Sequence, residues 1–203
     1  MLLTYSILAE SVKIRLHQKK ISLLDYDESL EFIGEGRSAY VFRIRSTNKA
    51  IKVFFPDHVD IAREEAEIYE MLRGISYYPT LYESGRNYLV IDYIEGLTLF
   101  ECLVQGIPIT SDNIKEIDQA LLLAKQKGLN PSDIHLRNIF ITSEKEIKVI
   151  DVARFRQTKK CRQWNDLKSA FYRVYLKRFF PKKIPVSILN FIAALYKRKL
   201  IPM

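Results

Sequence analysis

Short apolar runs, broken by glycine and polar clusters, alternate with longer stretches of helical periodicity along most of the 203 residues. The runs predict strands near 30–34, 40–45 and 50–55, a helix over about 60–73, and strands near 80–84 and 88–94. Beyond Glu95-Gly96, helices are expected around 98–104 and 112–127, short strands near 139–142 and 147–150, and two more helices near 165–180 and 185–199. Residues 1–29 mix apolar and basic positions and give no assignment. No internal repeat or low-complexity tract is present.

Chemistry enters where the first strands meet. Phe32-Ile33-Gly34-Glu35-Gly36-Arg37-Ser38-Ala39-Tyr40-Val41 joins two strand-like stretches through glycines, and Ala50-Ile51-Lys52-Val53-Phe54 follows. Glycines between two strands let the backbone fold over a nucleotide's phosphates, and a lysine on the next strand sets a compact positive charge on them. A dinucleotide fingerprint is excluded, because its glycines must open a helix, whereas Tyr40 to Ile44 continues as strand.

Far downstream, Asp133-Ile134-His135-Leu136-Arg137-Asn138 precedes the apolar run Ile147-Lys148-Val149-Ile150, which Asp151 closes. An acid, an amide five residues on, and an acid ending a buried strand can hold a phosphate-bound metal beside a nucleophile.

Taken in order, these segments resemble the protein-kinase superfamily, and the resemblance runs from about Glu31 to Asp166. It implies an α+β, two-lobed protein-kinase-like fold, with an antiparallel-sheet N-lobe over 30–95 and a truncated, mainly helical C-lobe over 96–203. Residues 1–29 would form an N-terminal extension. Asp133 would orient or deprotonate an acceptor hydroxyl, and Asn138 and Asp151 would hold Mg²⁺ across the phosphates of ATP. Lys52 would neutralise phosphate charge, held by a carboxylate on the next helix. Of Glu64, Glu65, Glu67 and Glu70, Glu65 falls where the family places that partner, and the other three fit a solvated face. The nucleotide would lie under Ile33, Gly34, Glu35, Gly36, Ala39 and Val41, against Ala50 and Ile91, with the Asp92 carbonyl and Ile94 amide bonding adenine. The expected reaction is transfer to Ser or Thr of a protein, as in RIO-like or bacterial eukaryotic-like kinases.

The departures narrow this reading. Ala39 stands for the loop's third glycine, and Pro131-Ser132 replaces His-Arg before Asp133, removing the arginine that reads a phosphorylated activation loop. Asp151-Val152-Ala153 replaces Asp-Phe-Gly, and His135 stands where lysine is usual. His135 either serves the site or orders the loop by hydrogen bonding. It also brings small-molecule kinases of the aminoglycoside or sugar type into view as an alternative, as the altered motifs bring in a non-catalytic ATP-binding adaptor. Only Val152 to Asn165 separates Asp151 from the helix beginning near Asp166, and no Ala-Pro-Glu occurs there, so the peptide-docking platform is missing. Asp166 resembles the aspartate that braces the catalytic loop, and a helix N-cap would explain it equally well.

Composition adds one asymmetry to a chain of 48% hydrophobic content and net charge +8. From Val152 onward there are fourteen Lys/Arg and a single acid, Asp166, whereas the preceding residues carry 18 basic against 23 acidic side chains. Lys159, Lys160, Arg162, Lys182 and Lys183 belong to this field, which spans 154–199 and suits an acidic protein substrate, nucleic acid or an anionic membrane surface. Tyr172, Tyr175 and Tyr196 are expected to pack rather than stack bases. Cys102 and Cys161 form no metal or redox pattern. Neither a signal peptide nor a transmembrane segment is expected, which points to a cytoplasmic protein.

Overall fold

The computed structural model describes residues 4–17, 20–159 and 161–198. Contacts divide the chain into two compact units, with the boundary between Ile94 and Glu95.

The first unit is built on a five-stranded antiparallel sheet of order β3-β4-β5-β7-β6, formed by Leu30–Glu35 (β3), Ala39–Ile44 (β4), Lys49–Phe54 (β5), Leu81–Ser84 (β6) and Tyr88–Asp92 (β7). Register sorts its side chains. Val41 lies opposite Lys52 and Lys52 opposite Leu89, while Arg43 faces Ala50 and Ala50 faces Ile91, so all six share one face of the sheet. The alternate residues Phe42, Ile51 and Val90 point the other way and are fully buried.

Residues that gave no assignment supply the cover for that second face. Tyr5–Ser11 (α1) starts at Thr4, whose hydroxyl accepts from the Ile7 amide, and Lys13–His17 (β1) pairs antiparallel with Lys20–Asp25 (β2). Leu8, Ala9 and Val12 join the cluster of Phe42, Ile51 and Val90, with Ile14, Ile21 and Leu23 packed against it. Each hairpin strand gives only a residue or two to the core, and Arg15, Leu16 and His17 are exposed, so no period-two pattern emerges. The other face receives Val59–Met71 (α2), whose buried stripe contains Ala62, Glu65, Ala66, Ile68 and Tyr69. A carboxylate in the middle of an apolar helical stripe is costly unless paired.

In the second unit, Gly96–Thr98 (β8), Ile139–Thr142 (β9) and Ile147–Val149 (β10) form a sheet of order β10-β9-β8. Leu99–Gln105 (α3) and Ser111–Gln126 (α4) both begin with reciprocal capping boxes, Thr98 with Glu101 and Thr110 with Asn113. Ile114, Ile117, Leu121 and Ala124 bury one face of α4.

Gly96 is the first residue of β8, a three-residue strand too short to leave a pattern. A Cβ on Gly96 would stand 2.5 Å from the Ile141 carbonyl oxygen and 2.8 Å from the Thr142 Cα. Both are backbone atoms that cannot swing aside. Gly96→Ala is therefore expected to destabilise the protein by about 1–3 kcal/mol, read as a lower denaturation midpoint. An unchanged midpoint would mean that β8 can shift at no cost.

The helix expected over 165–180 is shorter and interrupted. Gln163–Ala170 (α5) passes into one wider, π-type turn over Phe171–Tyr175, and regular helix resumes only at Val186–Lys197 (α6). The wider turn places the rings of Phe171 and Tyr175 in a stack with centroids 5.2 Å apart, both buried. The Tyr175 hydroxyl also accepts the Ile109 amide at 3.0 Å. Phe171, Tyr172, Val174 and Tyr175 are only middling helix formers, and these tertiary contacts suit the wider turn.

Candidate functional site

In the first unit, the turn between β3 and β4 is closed by the Gly36 amide, which donates to the Ala39 carbonyl at 2.8 Å. A Cβ built on Gly34 meets nothing within 4 Å, so protein packing does not require this glycine. The open space above it suits a backbone that must lie close to a ligand. Ala39 is buried at the start of β4 without a positive φ, so replacing the usual glycine carries no backbone strain. Ile33 is the extra residue where the register shifts between Phe32 and Gly34, and both it and Glu35 are exposed. Val41 is half-buried and Ala50 buried, on the sheet face that carries Lys52.

Lys52 Nζ donates to Glu65 Oε2 at 2.7 Å and to Oε1 at 2.9 Å. The Glu65 side chain is almost wholly removed from water, and that of Lys52 is mostly buried. The other helix glutamates differ: Glu67 and Glu70 are exposed, Glu64 is half-buried, and Glu70 pairs with Arg73 on the surface. At the end of β7, Ile91 is buried, and the Asp92 carboxylate accepts from the Thr80 amide and the Tyr82 hydroxyl, both at 2.7 Å. The Ile94 amide has no hydrogen-bond partner among the described residues.

In the second unit, the loop from Asn130 to Asn138 is fixed by its own backbone and by neighbours. The Asn138 amide donates to the carbonyl of half-buried His135 at 2.9 Å, and the Asn138 side-chain nitrogen donates to the Asp133 carbonyl at 3.3 Å. With its nitrogen so used, Asn138 is left with its side-chain oxygen for another partner. Ile150 donates to the Asn138 carbonyl at 2.9 Å, which sets the backbone before Asp151 alongside Asn138. Mg²⁺ needs only one or two protein oxygens when phosphates and water complete its octahedron, and the oxygens of Asn138 and Asp151 fit that requirement.

Asp133 and Asp151 are both left-handed, with φ of 60° and 59°. Ser46 and Lys145 share this conformation in turns elsewhere, and aspartate is among the residues that adopt it most readily, so it fixes the backbone of these two loops without marking a role. Periodicity and spacing carried no trace of it.

Two further residues belong to this region and were missed. Arg154 Nε stands 3.5 Å from Asp133 Oδ2, although its charge reads in the sequence only as part of a basic field. Asn130 donates its side-chain nitrogen to the Gln157 carbonyl at 2.5 Å and to the Lys159 carbonyl at 3.2 Å, and its amide donates to the Phe155 carbonyl at 2.6 Å. It thereby staples the short segment after Asp151 to the loop before Asp133. Asparagine beside Pro131 was the available signal, but it points only to a turn. Within that segment Val152 and Phe155 are completely buried.

Other expectations change. Asp166 is not a helix N-cap, a place Arg162 takes; its carboxylate accepts from the Tyr196 hydroxyl at 2.6 Å. Burial, with help from that carboxylate, pushes the Tyr196 hydroxyl up to about 12, so it remains a donor at neutral pH. Among the tyrosines expected to pack, Tyr175 is buried and Tyr172 is exposed. The basic field is less uniform than its count implies. Lys182 donates to the Tyr175 carbonyl and lies over that ring, Lys168 pairs with Asp118, and Arg154 with Asp133. Lys160 and Lys199 lie outside the described residues. Cys102 and Cys161 are free thiols, and burial pushes that of Cys102 up.

Comparison with known proteins identifies the family. The family model described as "Lipopolysaccharide core biosynthesis protein (WaaY)" matches residues 80–203. YrzF of Bacillus subtilis (strain 168), provisionally named a serine/threonine-protein kinase, is 48% identical over 193 residues, covering 94% of this chain and 90% of that protein. PknB of Lactococcus lactis subsp. lactis (strain IL1403), also provisionally named a serine/threonine-protein kinase, is 30% identical over 139 residues, covering 59% of this chain and 22% of that protein. Aurora kinase A-A of Xenopus laevis is 28% identical over 136 residues, covering 59% of this chain and 33% of that protein. Kinase relatives of this kind imply phosphotransfer with ATP and Mg²⁺ in general. On these matches, and with an antiparallel sheet and a lysine–glutamate pair, the chain belongs to the protein-kinase superfamily and to the family of lipopolysaccharide core biosynthesis protein (WaaY).

Proposed function

We propose that the chain transfers the γ-phosphoryl of ATP to a hydroxyl of Ser or Thr in a protein. The buried Lys52–Glu65 pair is the observation that carries the reading. Burying two charges costs several kcal/mol per ion before their attraction is counted, and an apolar pair would serve packing as well. A cation held extended by such a carboxylate is suited to meeting phosphate charge. In this reading the Gly34–Ala39 turn covers the phosphates, and the Asp92 carbonyl and the Ile94 amide bond adenine. Asp133 accepts the proton of the acceptor hydroxyl, its carboxylate positioned by Arg154, and His135 orders the loop between them. Mg²⁺, held by Asn138 and Asp151, would neutralise charge developing on the phosphate oxygens. Positioning and electrostatics supply the catalysis, since phosphoryl transfer asks little covalent chemistry of the protein.

The match over residues 80–203 to a lipopolysaccharide core biosynthesis family favours a second reading, in which the acceptor is a hydroxyl of a saccharide. Incubation with labelled ATP and Mg²⁺, with casein in one arm and lipopolysaccharide core oligosaccharide in the other, separates them. Label on casein or on the chain's own Ser or Thr supports protein transfer, label confined to the oligosaccharide supports the second reading, and none in any arm rejects both.

Nucleotide binding is checked without any acceptor. ATP at about a hundred times its Kd is expected to stabilise the fold by about 2.7 kcal/mol with Mg²⁺, seen as a thermal shift, and EDTA is expected to remove most of it. Equal shifts with and without EDTA would count against the roles given to Asn138 and Asp151.

A further inference from the structure

After Asp166 the chain contains no acidic residue, yet it continues through Arg173, Lys177, Arg178, Lys182 and Lys183. Interleaved with these cations are apolar side chains that the fold leaves in water. Phe179 is 94% exposed and Phe191 64%, and Val174, Leu176 and Ile188 are exposed as well. Helix α6 explains part of this. It is fastened by buried Leu189, by Tyr196 bonded to Asp166, and by Asn190, which accepts from Arg137 at 3.2 Å. Ile188, Phe191 and Leu195 recur at i, i+3 and i+7 and so share a stripe beside that anchored side. Ile188 and Phe191 of this stripe are exposed, and Leu195 is half-buried.

We infer that residues 173–195 form a docking surface for an anionic lipid membrane, with Lys177, Arg178 and Lys183 against the headgroups and Phe179, Ile188 and Phe191 entering the acyl boundary. Surface-lying segments combine these two residue classes, and each cation near an anionic leaflet adds to the attraction. No described helix is long and apolar enough to cross a membrane, so the association is with the surface. Other occupants fit less well. Bases could stack on Phe179 and Phe191, but exposed Val174, Leu176 and Ile188 would stay in water, whereas an acyl layer covers all five. Two copies would bring together faces of the same charge. Phe179 projects almost entirely clear of the protein, and a deformable acyl layer accepts such a tip without a preformed pocket.

The inference does not rest on phosphotransfer, and its test reads binding alone. The full chain is sedimented with vesicles of phosphatidylcholine, and with vesicles of phosphatidylcholine mixed with phosphatidylglycerol, at low and physiological salt. Binding is expected only to the mixed vesicles, and less of it at higher salt. Phe179→Ser/Phe191→Ser is expected to weaken partitioning on the order of tenfold or more. Lys177→Ser/Arg178→Ser/Lys183→Ser should weaken it by a similar factor and flatten the salt dependence. Circular dichroism and the ATP-dependent thermal shift should match those of the parent chain. If the double variant misfolds, Phe179→Ser alone carries the test, because that side chain has almost no packing to lose. Equal binding to both vesicle types, no binding to either, or apolar variants that bind like the parent would overturn the inference. So would displacement of the chain from vesicles by single-stranded DNA with the apolar variants unaffected, or a dimer that those variants dissociate.

Discussion

Asp133→Asn is expected to lower phosphoryl transfer roughly 10²–10⁴-fold, the range over which a positioned general base contributes. Asparagine keeps the size of the side chain and tolerates the left-handed backbone that Asp133 occupies, at φ 60°, better than most residues. The fold should therefore persist, and the ATP-dependent thermal shift should match that of the parent. What disappears is the carboxylate that Arg154 faces at 3.5 Å and that the proposed mechanism uses as proton acceptor. A variant with full transfer activity would place the base elsewhere. One that loses activity and the nucleotide shift together would mean that Asp133 supports binding rather than chemistry.

Lys52→Met should reduce both activity and stability. It leaves the Glu65 carboxylate in a site with almost no access to water and no ammonium to answer it. Removing one partner of a buried pair typically costs about 3–5 kcal/mol, visible as a lower denaturation midpoint. Transfer should fall roughly 10²-fold or more with loss of the cation on the phosphates. The double variant Lys52→Met/Glu65→Leu separates the two effects, because apolar replacement of both partners is often neutral. Its midpoint is expected to return towards that of the parent while transfer stays low. If stability and transfer recover together, Lys52 acts only through folding. If Lys52→Met alone is as stable as the parent, the pair contributes nothing to the core.

Some of this protein could be read from residue order, and the division follows the range of each signal. The strand from Lys49 to Phe54, the glycines at 34 and 36, and the amide five residues after Asp133 are local patterns tied to local backbone chemistry. Choosing Glu65 from four neighbouring glutamates needed more, namely the family resemblance, which places the lysine's partner at that position. Arg154 was illegible because its contact depends on how a short irregular segment turns back, and that turn is set by Asn130. The hairpin of β1 and β2 was hidden because its core-facing residues are few and its exposed ones mix basic side chains with Leu16 and Leu24. The break after Ala170 was hidden because it arises from the packing of Phe171 and Tyr175.

The left-handed backbones at Asp133 and Asp151 bear on how such a chain would age once its chemistry was no longer needed. Glycine adopts that conformation without strain, and asparagine and aspartate are the side-chain-bearing residues that tolerate it best. In a lineage released from catalysis, drift towards the more stable sequence would replace both acids early, with little change elsewhere in the fold. If Asp133 and Asp151 act as proposed, a descendant carrying Gly or Asn at both turns would be one in which that constraint has lapsed.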